Sequence, residues 1–494
     1  MKHEQHNKTT TAAAGTSFLQ RLSRPVLLTE GKPWKVILLY AVPIMLSYLL
    51  QQVYALTDAI ICGQVLQAEQ VAGVNDTFPL MFVFLQFAFG CTSGFSVITG
   101  RYAGNKEVKG VRKSFATQIY LTLAISVVLT VISILLLPWM LGLLHVTPEN
   151  SVVYKAAYEY CVIIFGGILA QMGYNFICGI LRAYGDSVTP LVFLIFSTFL
   201  NVALDILFLV VFRMGPAGAA IATVLAQALS VIACFGYVFL RYKELRPQRE
   251  DLKIDVADAI AHLKQGLPLG LQFSVLAIGI IVMQAAVVQF DLAPDGIMTP
   301  GTPAQNGFAA ASKLINFLFA FFNGLAAGLL GYNAQNFGKG SYDRIRKGTW
   351  QTLGLMMILF VFCLVVGGLL LINGAYQHIF LSEEKISPAS LRFGNICLII
   401  DVSMFFVLGF LIVSRCAVQG IGKSGYVFGA GIAELVARVG ICAFLPAIVN
   451  GAPIDNSASL WAFAAVCFGD PGAWIAASLV LSIPLIKNIT KMKY

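Results

Sequence analysis

The sequence predicts a helical membrane protein of about twelve spans, built as two related six-helix halves. Three observations lead there. Of the 494 residues, 58% are hydrophobic and only 12% charged, against about 25% charged in a soluble domain. Apolar runs of about 20 residues, long enough to cross a bilayer, recur along almost the whole chain. Short motifs also repeat in the same order at a separation of about 230 residues. A β-barrel would need strands of about ten residues with alternating polarity. Runs such as 121–137 and 355–371 do not alternate, and a backbone in lipid must then close its own hydrogen bonds as helix.

Residues 1–33 are polar and read as a cytoplasmic tail, not a leader peptide. The first half, 34–240, carries predicted spans at 35–62, 71–100, 114–144, 154–181, 190–212 and 217–240. Residues 241–265 are the most charged stretch and read as a linker, with 254–263 expected to lie along the inner membrane surface. The second half, 266–494, carries spans at 267–290, 308–334, 348–373, 388–416, 425–449 and 471–486. A long connection rich in Pro and Asp (DLAPDGIMTPGTPAQN) joins the seventh and eighth spans. Residues 460–468 form an apolar patch that either rests in the interface or extends a helix.

The repeat is specific. AVPIMLSYLLQQ around Pro43 matches GLPLGLQFS around Pro268. GRYAGNKE after span two matches AQNFGKGS after span eight, and LRAYGDS after span four matches VQGIGKS after span ten. An even number of spans per half gives both copies one orientation, related by an axis along the membrane normal with a cavity between them.

The formal net charge of +9 does not indicate nucleic acid. Lys and Arg cluster in alternate connections, at 101–113, 241–253, 339–347 and 487–493. The positive-inside rule places both termini in the cytoplasm, here of an inner membrane. The ten cysteines are scattered without CxxC spacing and read as small core residues. The five histidines avoid mid-membrane positions, and neither a metal cluster nor a nucleophile–base set is evident, so an enzyme is not expected. No GxxxxGK[ST] loop supports ATP-driven transport.

An ionised side chain at mid-bilayer costs ~2.5–3.5 kcal/mol on insertion scales, so each one needs a reason. Asp58 lies in span one, and Asp205 lies in span five with Asn201 one turn earlier on the same face. A carboxylate beside an amide oxygen offers a proton site, or hard oxygen ligands for Na⁺ if the protein is sodium-coupled. Interhelical tying alone would need only the amide. In the second half, Glu434 precedes Arg438 by four residues, the order of a structural helical ion pair. Asp401, Lys313 and Gln272 are candidates for a second site or the substrate cavity. For Asp401, function and structure stay equally open; Lys313 either snorkels or faces the cavity. Abundant Phe and Met would suit flat cations facing an acidic cavity.

These residues resemble the MATE (multidrug and toxic compound extrusion) family from about residue 33 onward. Pro43 with QQ…TDAIICG, GRYAGNK, LRAYGDS, LNVALD, GPAGAAIATVLAQ, GLPLGLQFS, AQNFGKG followed by Arg344, VQGIGKS, and Glu434 with Arg438 carry the resemblance. The acidic first half looks closest to the prokaryotic DinF-like branch. The resemblance implies two bundles around a cleft that alternates between its two openings. It implies a first-half cation site at Asp58, Asn201, Asp205 and Thr223, with Asn175 a weaker match. It also implies export of organic, often cationic or amphipathic, compounds by antiport with H⁺ or Na⁺, by a monomer without cofactors. Span seven lacks the acidic residue that some branches use in a second sodium site. A lipid-linked oligosaccharide flippase is the rival; it should line its cavity with several Arg or Lys.

Overall fold

The computed structural model describes residues 25–144, 146–149 and 151–490; most of the tail expected at 1–33 lies outside them. The helices are α1 (Pro33–Val65), α2 (Ala68–Gly104), α3 (Val108–Leu143), α4 (Ser151–Gly166), α5 (Ile168–Tyr184), α6 (Val188–Asp205) and α7 (Pro216–Arg241). The second series is α8 (Val256–Val288), α9 (Pro303–Gly338), α10 (Tyr342–Leu371), α11 (Ala375–Phe380), α12 (Pro388–Ser403), α13 (Phe405–Gly420), α14 (Ser424–Asn450), α15 (Leu460–Cys467) and α16 (Gly469–Leu485). Ten spans are long and apolar enough to cross a membrane unbroken, and two bent pairs bring the number to twelve. The pairs are α4–α5, bent by 43°, and α12–α13, bent by 50°. They are spans four and ten, the same place in each half.

Lipid-facing surfaces follow from side-chain type. On α3, Leu123, Val127, Val131 and Leu135 form one exposed apolar face, and on α10 Ile358, Val361, Val365 and Leu369 do the same. All ten cysteines are free thiols, and nine are buried. The patch at 460–468 extends a helix: α15 runs into α16 after one residue. In the Pro-rich connection, Asp291 caps α9 by accepting from the backbone N–H groups of Ala304 (3.0 Å) and Gln305 (2.9 Å).

The segment expected along the membrane surface, 254–263, is continuous with span seven: α8 begins at Val256, and Ile254, Val256 and Ile260 are exposed. Asp255 is the N-cap, its carboxylate accepting from Ala257 N–H and Asp258 N–H and held below the usual carboxylate range by Lys113. Asp258 and His262, one turn apart and buried, meet α3: Thr117 donates to Asp258 (2.7 Å), and Ser114 lies 2.8 Å from His262 Nε2. Polar side chains that would face water on a surface helix are instead matched across a helix interface.

The halves meet through two crossed pairs, α1 against α9 and α2 against α8. Small residues allow the approach. A Cβ on Gly90 would lie 2.6 Å from the Leu269 carbonyl, and one on Gly94 2.5 Å from that of Gln265. Gly328 sits equally close to Ala41 of α1. These contacts fall toward the ends rich in Lys and Arg, here called the basic end. Toward the opposite end the first half closes its own core around Met81, Leu129, Leu137, Phe165 and Leu209, leaving a cleft between bundles.

The repeated motifs build the seal at the basic end. A Cβ on Gly104 would overlap the Gln335 carbonyl, and one on Gly338 would overlap that of Arg101. Gly185 and Gly422 both have positive φ, 98° and 71°, where an L side chain is strained. Their carbonyls accept from Val26 N–H (2.9 Å) and Gln265 Nε2 (2.9 Å), respectively. Arg101 stacks over Phe337 at 4.8 Å. Arg344 donates to the carbonyls of Gly31 (2.7 Å) and Glu30 (3.1 Å), pinning the segment before α1.

Candidate functional site

The acidic pair of the first half is assembled from three helices. Asp58 projects from α1, Asn201 and Asp205 from α6, and Thr223 from α7. Asn201 and Asp205 are 1% and 0% exposed, so both groups are withdrawn from water. The carboxyl groups of Asp58 and Asp205 are within hydrogen-bonding reach of each other. Neither oxygen of Asp205 receives an N–H or O–H donor from an amide, amine or hydroxyl group, and Asn201 Oδ1 is equally without a partner. Asn201 Nδ2 donates weakly to Thr223 Oγ1 at 3.4 Å, and Tyr54 stands within reach of the same hydroxyl. Cys62 and Tyr160 flank the pair.

Two carboxyl groups this close cannot both be ionised without a cation between them. Unpartnered oxygens of Asp205 and Asn201, with Asp58 and Thr223 beside them, make an all-oxygen donor set. That chemistry suits a proton or a hard cation such as Na⁺. Directly after Asp205 the helix widens into a π turn, Ile206–Val211, a form often found at functional sites. Tyr54 and Tyr160 had no signal in the sequence, because aromatic residues occur throughout the spans.

Asn175, expected beside this group, lies on α5 beyond the 43° bend and lines a cavity between the halves. The cavity's walls come from α1, α2, α5 and α9, and include Tyr40, Tyr48, Gln51, Phe89, Tyr174 and Arg182. Its floor is the seal, at Gly100, Ala183 and Ala334.

The second-half candidates separate. Gln272 is buried against Gly431 of α14, with neither amide atom hydrogen-bonded. Lys313 is exposed at the end opposite the basic one and feels Lys385 of a nearby connection. Glu434 and Arg438 do pair, at 3.4 Å, within a larger network. Arg415 reaches Glu434 at 2.6 Å, and Arg438 reaches Asp470 at 2.5 Å. Asp401 is buried close to the Arg438 and Asp470 charges, with Cys397 Sγ 4.0 Å from its Oδ2. Arg415 and Asp470 were missed because they lie 19 and 32 residues from their partners, on other helices.

This network predicts a measurable cost. Glu434→Gln leaves the half-buried Arg415 and the buried Arg438 guanidinium groups beside a neutral amide and should destabilise the protein by about 3 kcal/mol. Thermal unfolding in detergent reads this as a clear fall in melting temperature. Unchanged stability with lost transport would instead make Glu434 a functional group.

Comparison with known proteins bears on the whole chain. The family model MatE matches residues 43–207 and 300–444. The chain belongs to the MATE family of transporters. It is 29% identical over 317 residues to "Probable multidrug resistance protein YpnP" of Bacillus subtilis (strain 168), covering 64% of this chain and 68% of that one. It is 23% identical over 338 residues to a protein named "FAD transporter" from Shewanella oneidensis, covering 66% and 70%. The fold matches a solved MATE transporter described as being in an outward-facing conformation, with a TM-score of 0.81 at 19% identity, over 94% of this chain and 98% of that chain. The MATE chain therefore shares its twelve-span architecture with relatives that differ in cargo by name.

Proposed function

We propose that this MATE protein is a secondary active exporter of amphipathic organic compounds, driven by inward movement of H⁺ or Na⁺ through alternating access. The observation that carries the reading is the Asp58–Asp205 pair, half-buried at Asp58 and fully buried at Asp205, with its unpartnered oxygens. The basic end faces the cytoplasm, so the seal closes the cleft from inside and leaves it open outward. A cation entering from outside occupies the pair. Its release inward, after the seal opens, resets the site. Antiport requires that cation and cargo favour different states, which is a differential affinity and not a contact between them.

The names of the relatives, multidrug resistance and FAD transport, agree with an organic cargo. The flippase reading is not favoured, since the cavity presents a single Arg and not a basic lining. The test is transport in proteoliposomes with pH and Na⁺ gradients imposed separately. One of the two should accelerate efflux of organic solutes at least tenfold over no gradient. Flux indifferent to both would overturn the reading.

A further inference from the structure

The cavity between the halves carries a charge opposite to what a cation exporter needs. Its wall contains one charged side chain, Arg182, and no carboxylate. The guanidinium stands among Tyr40, Tyr48 and Tyr174. Its Nε has no hydrogen-bond acceptor, and no carboxylate pairs with it among the described residues. The nearest acid along the chain, Asp186, is committed elsewhere. Its carboxylate accepts from Val188 N–H (3.1 Å), Thr189 N–H (2.9 Å), Thr189 Oγ1 (2.5 Å) and the Tyr242 hydroxyl (2.7 Å), capping α6. The acidic pair of the first half lies on another set of side chains and does not line this cavity.

A half-buried guanidinium without an anion is costly. The sequence accepts that cost on a cavity wall, next to aromatic rings that offer flat surfaces. Gln51, Ser93 and Asn175 add polar groups; the Asn175 amide nitrogen has no partner of its own. We infer that the cargo is an aromatic anion, a planar ring system bearing a carboxylate, sulfonate or phosphate, held by Arg182 and stacked between the cavity tyrosines. This rests on the exporter reading and reverses the cationic preference expected from sequence. Arg suits such a group because its planar fork can bind both oxygens of the anion at once. The place also fits the transport cycle. Arg182 sits directly above the seal, beside Ala183, whose carbonyl receives Gln335 Nε2 at 2.8 Å across the halves. Cargo on Arg182 therefore touches the groups that must part when the seal opens.

Two xanthene dyes of similar shape and opposite charge, carboxyfluorescein and rhodamine 123, test this with the full-length purified protein. Binding is read by fluorescence polarisation in detergent, independently of any gradient. Wild type should bind carboxyfluorescein at least tenfold tighter than rhodamine 123. Arg182→Gln should erase that preference, while Arg182→Lys keeps part of it. Equal affinities in wild type, or a preference for rhodamine 123, overturn the inference without needing any variant to fold. A preference unchanged in a folded Arg182→Gln protein also overturns it. Proteoliposome flux of the same dyes separates the two levels. Selective binding of the anion without gradient-driven flux supports the cavity assignment and counts against the exporter reading.

Discussion

Asp205→Asn should abolish cation-driven export, a loss of at least about 100-fold in flux, while the protein remains folded and in the membrane. The substitution is nearly isosteric, so packing of α6 against α7 is preserved. What it removes is the group that can change charge. Asp205 is fully buried, and no amide or hydroxyl donates to either of its oxygens. Ordinary structural carboxylates are held by donors; this one is held in place by its helix and faces Asp58. With one of the two carboxyl groups already protonated in the cation-free site, replacing Asp205 by a neutral amide of the same shape should leave the melting temperature nearly unchanged. The paired signature, retained stability with lost coupling, distinguishes a coupling site from a helix tie. Flux is measured in proteoliposomes and folding by size exclusion and thermal shift. Retained coupling in Asp205→Asn would sink the mechanism.

Gly104→Val should stop the cycle by a different route, with a comparable loss of flux. Gly104 and Gly338 occupy the same position in the two repeats, each against the other's strand of backbone at the seal. A Cβ at Gly104 meets the Gln335 carbonyl, and backbone in the middle of a helix end cannot rotate away as a side chain could. Overpacking of this kind costs about 3 kcal/mol, enough to shift an equilibrium between closed and open seals by roughly 100-fold. The variant folds because the clash exists only when the seal is shut. Cys178, a free thiol on the cavity wall that is 3% exposed, gives the readout. Its labelling by a membrane-impermeant maleimide from the basic side should rise in Gly104→Val. Unchanged labelling and unchanged flux would show that the glycine contact is not the gate.

Much of this was visible in the chain itself. Lipid offers the backbone no partners, so each long apolar run had one outcome, and all twelve spans form where hydropathy places them. The recurrence of GRYAGNKE as AQNFGKGS and of LRAYGDS as VQGIGKS marked the ends of spans before their contacts were known. Asp58, Asn201 and Asp205 stood out because charge is expensive in a membrane and local spacing put two of them on one face. Other features had no local signature. The linker tail 254–263 has the pattern of a surface helix and keeps Ile254, Val256 and Ile260 exposed, but nothing in its spacing shows that Asp258 and His262 are buried against Thr117 and Ser114. Asn175 stands on the wall of the cavity past the bend between α4 and α5, a position that spacing along the chain does not show.

The sequence alone determined the membrane class, the two-fold repeat and the presence of acids inside the spans, because these follow from composition and short-range spacing. The tertiary structure decided which groups meet. It joined Glu434 to Arg415 and Arg438 to Asp470, closed the repeated glycines on each other, and left Arg182 without an anion on the cavity wall. Charge pairing is a matter of distance between helices, and distance between helices is not written in the order of residues along any one of them.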